Sequence, residues 1–239
     1  MSQGNVTDER VLHAADNNAR WCDMVCRSHG IPTAMQDGLW VALGRSPDLY
    51  PDAVTLLPGI TAEDVLGAVQ AGPGCSVKDS FAALDLTQMG FAELFRAQWI
   101  FREPGRLPQS RALDWTVVET DEGLHEWAQA AGLSGTLRSG LLREPSVRIL
   151  AAHGPDGLSA GAIANQTAMV VGVSNVFTTT ITAEEAWAGI VDALGVTFPS
   201  LSLVGYEQGE DLQPALASGF AETGDLRVWL SEQDAHADS

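Results

Sequence analysis

Apolar positions along the chain follow the helix period in some segments and the strand period in others. The clearest helical stripe recurs at i, i+3, i+4, i+7, i+8 and i+11, at Ala183, Ala186, Trp187, Ile190, Val191 and Leu194. Thr182 and Glu185, three residues apart, predict a capping box at the start of this helix. Further helices are predicted at 8–29, 61–71, 122–131 and 210–217. Strands are predicted at 39–43, 53–57, 76–86, 97–101, 115–118, 147–152, 159–164, 168–177, 201–206 and 227–230.

One short segment occurs twice, as Ile60-Thr61-Ala62-Glu63-Asp64 and as Ile181-Thr182-Ala183-Glu184-Glu185. A strand-like run precedes each copy. A Gly-Phe pair and then a tryptophan follow each, in the order Gly90-Phe91 and Trp99, then Gly219-Phe220 and Trp229. Landmarks repeated in one order predict a duplicated unit. We therefore expect two lobes, at 1–101 and 113–231, with a Pro/Gly/Arg-containing linker at 102–112 and a disordered polar tail at 232–239.

Composition and charge narrow the function classes. The chain has 239 residues, of which 45% are hydrophobic, and that is ample for a packed core. Its 31 acidic and 13 basic residues give a formal net charge of −18, which repels nucleic acid phosphates and anionic lipid, so neither a nucleic acid nor a membrane is an expected partner. No apolar run approaches the ~20 residues of a membrane span, and no secretory signal is visible, so a cytoplasmic protein is predicted. The acidity suits an amine-bearing substrate, although a need for solubility explains it equally well.

Cys22 and Cys26 lie on one face of the first predicted helix, and His29 ends that helix. They would suit a metal ion only with a fourth ligand, and none stands at a familiar spacing, so buried thiols and no metal are predicted. The sequence also lacks the Gly-x-Ser-x-Gly elbow of hydrolases, the Gly-x-Gly-x-x-Gly dinucleotide motif and the Gly-Lys-Ser/Thr phosphate loop.

The order of elements after residue 113 is strand, helix, three strands of a meander, capped helix, strand, helix, Gly-Phe and strand. This order resembles the GNAT (N-acetyltransferase-like) acyltransferase superfamily, and residues 1–101 look like a second, more diverged copy. The segments that carry the likeness are 169–177, 178–194, 203–207 and 215–220. The resemblance implies an α+β fold of two GNAT-like lobes, whose central mixed, mostly antiparallel sheets are flanked by helices.

The resemblance also implies an acyltransferase that moves an acyl group from the thioester of acetyl-CoA or another acyl-CoA to a small-molecule amine acceptor. In the family, the strand at 169–177 diverges from its neighbour, and the pantetheine arm pairs with the freed backbone. The following loop holds the pyrophosphate on amides at a helix start. Carried over to this sequence, the implied cofactor-binding residues are Val176, Phe177, Thr178, Thr182 and Ala183.

Two departures from the family pattern bear on these implications. Ile181 stands where the phosphate loop has its first glycine, and Glu184 and Glu185 follow at the helix start, without a Lys or Arg between Arg148 and Arg227. Ala215 stands where many members place a proton-donating tyrosine.

These departures leave two alternatives open besides an acyl-CoA enzyme. One is a donor borne as pantetheine on an acyl carrier protein. Such a partner would need a basic patch, for which the candidates are Arg102, Arg106, Arg111, Arg138, Arg143 and Arg148. The other is a catalytically inactive binding or regulatory module.

Four polar residues are candidates for the chemistry of amine acylation, which needs a base and dipoles for the oxyanion. Glu207, just past the strand at 201–206, is the candidate base, and Tyr206 the candidate donor to the oxyanion or leaving group. Ser174 and Asn175 interrupt an apolar strand and would bind an amide or the pantetheine. Strand alternation predicts that Ser174 shares a face with Val176. The competing interpretation of all four residues is structural: a solvated carboxylate, a half-buried ring and the outward positions of a strand.

Overall fold

The computed structural model describes residues 8–105 and 113–232. The α-helices of these ranges are α1 (Glu9–Ser28), α2 (Ala62–Ala68), α3 (Asp121–Ala130), α4 (Ala183–Thr197) and α5 (Leu212–Ala217). The strands are β1 (Thr33–Gln36), β2 (Leu39–Ala42), β3 (Ala53–Thr55), β4 (Ser76–Asp79), β5 (Phe91–Arg102), β6 (Asp114–Val117), β7 (Val147–Gly154), β8 (Gly157–Gln166), β9 (Val170–Thr178), β10 (Ser202–Glu207) and β11 (Ala221–Ser231). Short 3₁₀ helices lie at Thr87–Met89, Ser139–Arg143 and Gly209–Asp211.

The two copies of the repeated segment have the same local structure. Thr61 with Asp64, and Thr182 with Glu185, each form a complete capping box at the start of α2 and α4. The glycines of the two Gly-Phe pairs both adopt positive φ, 79° at Gly90 and 87° at Gly219. Each glycine ends a helical turn and leads into a long strand, β5 or β11. The two copies thus share local geometry, and their origin by duplication stays a prediction.

The predicted strand at 76–86 ends at Asp79. The Asp79 carboxylate accepts hydrogen bonds from the backbone N–H groups of Phe81 and Leu84, at 3.2 and 2.7 Å. Such local side-chain-to-backbone bonds replace the ladder and turn the chain. Ala82, inside this turn, has a φ of 49°. The apolar residues beyond Asp79 therefore reach the core from a turn instead of from a strand.

By its contacts the described chain divides into two compact units. The first unit takes in the chain up to Trp99 and again from Thr223, and the second runs from Ile100 to Glu222. The boundary therefore falls within β5, and most of β11 belongs to the first unit. This division differs from the predicted lobes at 1–101 and 113–231, which stay a prediction about ancestry. Residues 106–112 of the predicted linker and 233–239 of the predicted tail lie outside the described ranges.

The first unit contains a mixed sheet with helices on both faces. Strands β1, β2, β3, β4 and β11 follow one another in that order, with β3 and β4 parallel and the other neighbours antiparallel. Leu39 and Val41 face Val65 of α2, whereas the Trp40 indole N–H donates to Asp23 of α1. Cys22 and Cys26 are buried in α1, and burial raises the pKa of Cys22 to about 12.

The second unit is a five-stranded meander with one parallel pair. The order is β10, β9, β8, β7 and β6, with β10 parallel to β9 and all other neighbours antiparallel. Trp187, Ile190 and Leu194 of the apolar stripe on α4 are buried against one face of this sheet. Trp127 of α3 covers the opposite face, where its indole N–H donates to the Leu150 carbonyl at 2.8 Å. Both units thus have the predicted α+β architecture of mixed, mostly antiparallel sheets flanked by helices.

The described ranges contain neither a membrane-spanning helix nor a metal-binding cluster. Every helix there is too short or too polar to span a bilayer. Within the same ranges, no cluster of three or more His, Cys, Asp and Glu side chains is arranged to hold a metal ion.

Candidate functional site

Strands β9 and β10 are paired over only part of their length. The parallel pairing joins Ser202–Val204 to Val170–Gly172. Among the described residues it includes no later position, although β9 continues to Thr178 and β10 to Glu207. Gly205 stands at the vertex of this divergence, because a Cβ there would lie 2.7 Å from the backbone oxygen of Val173. A gap opens beyond Gly205, and the backbone groups of β9 and β10 that face it are not paired with each other.

A β-bulge lies on β9 at the level of this gap. Ser174 is paired with Ile163 and Phe177 with Gly161, so that Asn175 and Val176 together oppose a single residue of β8. Asn175 has a φ of 52°, in the left-handed region that asparagine tolerates better than most residues. The polar interruption noticed in the sequence is therefore the bulge itself.

The bulge decides which candidate residues share a face. Val176 packs against the cluster that holds Val173, although an unbroken strand would place positions 173 and 176 on opposite faces. Ser174 lies on the other face, opposite Ile163, so the prediction that Ser174 shares a face with Val176 is wrong. The extra residue at Asn175 shifts the alternation by one position, and nothing in the residue spacing alone announces that shift.

Strand alternation along β10 separates the two other candidates. Leu203 faces the α4 cluster, so Glu207 lies on that face and Tyr206 on the opposite one. Continued past Val204, the register would place Glu207 level with Asn175 and Tyr206 level with Ser174. The gap between the strands therefore has Glu207 and Val176 toward one face, and Tyr206 and Ser174 toward the other.

Glu207 is half-buried, and its carboxyl group is strongly perturbed. Burial, and secondarily the nearby negative charge of Asp211, raise the pKa of Glu207 to about 8 from an ordinary 4.5. Both causes disfavour the charged carboxylate. Near neutral pH this group exchanges a proton readily, which is what a general base requires.

Ser174 and Phe177 show contrasting environments on the opposite face. The Ser174 hydroxyl oxygen is buried and makes no hydrogen bond within the described structure, so its hydrogen-bonding capacity is unused there. Phe177 packs edge-on against Trp127, with ring centroids 5.0 Å apart, above Gly161. The side chain of Phe177 thus serves the core, and only its backbone can take part in binding.

The loop between β9 and α4 is held by its own side chains. Thr179 donates to the Leu158 carbonyl at 2.6 Å, and Thr180 to the Ser159 hydroxyl at 2.8 Å. At the helix start, the Thr182 N–H donates to the Glu185 carboxylate at 3.0 Å, and the Glu185 N–H to the Thr182 hydroxyl at 3.2 Å. Ala183 is the first residue of α4, immediately after this cap.

This loop does not fit the pyrophosphate of CoA. None of residues 178–183 has positive φ, so the backbone does not form the nest of N–H groups that a phosphate needs. The Ile181 side chain packs against an apolar cluster of Ala152, Ala160 and Ala186. Glu184 and Glu185 are exposed at the helix start, and they place negative charge where the phosphates would arrive.

The position of the missing tyrosine is also settled by the core. Ala215 is fully buried in the cluster that contains Trp187 and Phe220, whose rings meet at 5.2 Å in an edge-to-face contact. A larger phenolic side chain would have to displace this packing. Proton donation by residue 215 is therefore excluded by its chemistry and its position.

Sequence reasoning identified Ser174, Asn175, Tyr206 and Glu207, and all four lie along the lengths of β9 and β10 that are not paired with each other. It missed Asp211, whose charge contributes to the pKa of Glu207, and the vertex at Gly205. A glycine inside a strand pattern, next to two polar residues, was the available signal for the vertex.

Comparison with known proteins places the fold. No family model matches the sequence. No curated protein matches it significantly either.

Solved structures do match. A GCN5-related N-acetyltransferase from Kribbella flavida has a TM-score of 0.66 and 14% sequence identity, over 98% of this chain and 98% of its own. A GCN5-related N-acetyltransferase-like protein from Streptococcus suis has a TM-score of 0.52 and 10% identity, over 93% and 98%. A GCN5-related N-acetyltransferase from Anabaena variabilis has a TM-score of 0.50 and 10% identity, over 94% and 70%. The chain therefore has the fold of the GCN5-related N-acetyltransferases.

Proposed function

We propose that this protein is an N-acyltransferase that moves an acyl group from a pantetheine thioester to the amine of a small molecule. The observation that carries the proposal is the Glu207 carboxyl group, held half-buried at the divergence of β9 and β10 with its pKa raised to about 8. Because acyltransferases use this fold, we interpret the carboxyl group as a base for acyl transfer.

The proposed reaction begins with an acceptor that arrives as an ammonium ion. The Glu207 carboxylate takes one proton from it, and the neutral amine attacks the carbonyl carbon of the thioester. A C–N bond forms and the C–S bond breaks. The nitrogen is cationic again after the attack and loses a second proton, which the departing thiolate takes. The proton held by Glu207 passes to solvent, so the products are an amide, a thiol and one proton.

Three further sets of donors and acceptors support this chemistry. The bulge removes Asn175 from the regular ladder with β8, so the backbone N–H groups of Asn175 and Val176 are the proposed donors to the oxyanion. Tyr206, on the opposite face of the gap, is the proposed donor to the oxyanion or to the leaving group. Ser174, with its buried hydroxyl, is the proposed partner for an amide of the pantetheine arm or of the acceptor.

The experiment is a thiol-release assay over a panel of primary amines, with acetyl-CoA and S-acetylpantetheine as donors. We expect Glu207→Gln to lower the rate about 10²–10⁴-fold, the range typical for loss of a general base. Glu210→Gln is the matched control, because Glu210 is an exposed carboxylate three residues along the chain, and its rate should equal that of the wild type. Thiol release that Glu207→Gln leaves unchanged would contradict the proposed role of Glu207.

A further inference from the structure

The start of α4 combines three features that bear on the acyl donor. Its Thr182 and Glu185 amides are already satisfied by the capping box. Glu184 adds an exposed charge, and Ile181 anchors the loop in the apolar cluster. The gap between β9 and β10, which would take a pantetheine arm, differs in its backbone, since the two strands are not paired with each other beyond Gly205.

We infer that the donor site recognises the pantetheine arm of a thioester and discriminates against the pyrophosphate of CoA. This inference rests on the proposed function, because it names the donor of that same site. The physical reason is electrostatic: a dianionic pyrophosphate at the helix start meets Glu184 and Glu185 instead of a nest of free amides. A pantetheine thioester carries no pyrophosphate and meets no such repulsion. The adenine nucleotide of CoA therefore adds no affinity at this site.

Two sources supply pantetheine without a free pyrophosphate: a small pantetheine ester, and the phosphopantetheine arm of an acyl carrier protein. The chemistry that the gap recognises is the same for both. Arg138 and Arg143, at the two ends of the 3₁₀ helix Ser139–Arg143, are exposed cations of the second unit, and an acidic carrier protein would need such groups.

The test compares the binding of two ligands, S-acetylpantetheine and acetyl-CoA, to the full chain by calorimetry or ligand-observed NMR. We expect acetyl-CoA to bind the wild type no more tightly than S-acetylpantetheine. Glu184→Lys should then raise the affinity for acetyl-CoA by about fivefold, in a salt-dependent way, and leave that for S-acetylpantetheine unchanged. Glu63→Lys is the matched control, since it makes the same charge change at the equivalent position of the other copy, and it should alter neither affinity.

Acetyl-CoA binding at least tenfold tighter than S-acetylpantetheine would overturn the inference, and so would binding of neither ligand. A third arm, with acetylated carrier protein as donor and Arg138→Glu/Arg143→Glu as the variant, distinguishes the two sources. If acetylated carrier protein gives a higher rate than S-acetylpantetheine, and the arginine variant loses that difference, the carrier protein is identified as the source. Equal rates identify the free ester. Because the two binding measurements are made without an acceptor, their results are independent of whether transfer depends on Glu207.

Discussion

Replacement of Glu207 by Gln should lower the activity of the protein but raise its stability at alkaline pH. The fold raises the pKa of this carboxyl group from 4.5 to about 8, which means that it favours the protonated form. The corresponding contribution to stability is fully present below pH 4.5 and is lost as the pH rises through 8. Glutamine is neutral at every pH and resembles the protonated acid in shape.

The magnitude follows from the pKa difference. At about 1.4 kcal/mol for each pKa unit, the rise to about 8 corresponds to at most about 5 kcal/mol. Glu207 is half-buried, so water relieves part of the penalty, and about 2–4 kcal/mol is the expected effect. At pH 9 the Glu207→Gln variant should therefore be more stable than the wild type by about 2–4 kcal/mol, and at pH 5 the two should be nearly equal.

The assay is urea unfolding of the wild type, Glu207→Gln and Glu210→Gln at pH 5, 7 and 9. Comparison with the exposed Glu210 removes the general effect of the formal net charge of −18, which also changes with pH. A stability difference between Glu207→Gln and the wild type that stays constant from pH 5 to pH 9 would refute the reasoning. The expected combination of lost activity and gained stability is typical of a group retained for chemistry.

Substitutions at three further positions test the geometry of the second unit by urea unfolding. Gly161→Ala should destabilise this unit by about 1–3 kcal/mol, because the new methyl would lie 2.3 Å from the Trp127 indole nitrogen. The control Gly140→Ala, whose methyl would meet nothing within 4 Å, should have little effect. Equal stabilities of the two variants would contradict this packing. Gly205→Ala should cost a similar amount, since its methyl would lie 2.7 Å from the Val173 backbone oxygen, and an unchanged midpoint would argue against the vertex. Asn175→Gly should leave the stability unchanged within about 0.5 kcal/mol. Asn175→Val should destabilise the protein by about 1–2 kcal/mol, because the φ of 52° disfavours a β-branched residue. A valine variant more stable than the glycine variant would exclude the bulge.

Helix α4 shows which parts of the fold the sequence predicts well. Its apolar stripe and its Thr182–Glu185 capping box both point to one helix, and the structure places that helix at Ala183–Thr197. Strand β1 was missed, because Thr33–Gln36 has too little alternation to indicate a strand by itself. A turn signal was present, since Asp37-Gly38 has positive φ at both residues and joins β1 to β2 in a hairpin.

The candidate site was predicted as a set of residues but not as an arrangement. Ser174 and Asn175 stood out as polar residues in an apolar run, and Glu207 as a carboxylate at a strand end. Their faces depend on a one-residue shift in the pairing of β9 with β8, which is a tertiary property. The raised pKa of Glu207 likewise depends on burial and on Asp211, which sequence alone does not place beside it.

The position of β11 has a consequence for biosynthesis. The first unit needs a strand that the ribosome makes only after the whole of the second unit, because Arg227–Leu230 pair with Ser76–Asp79. The segment from Ile100 to Glu222 can collapse as it emerges, while β4 waits with an unsatisfied edge for more than a hundred residues of translation. A premature stop after Glu222 would thus spare the segment that carries Glu207 and leave the earlier-made half open to aggregation.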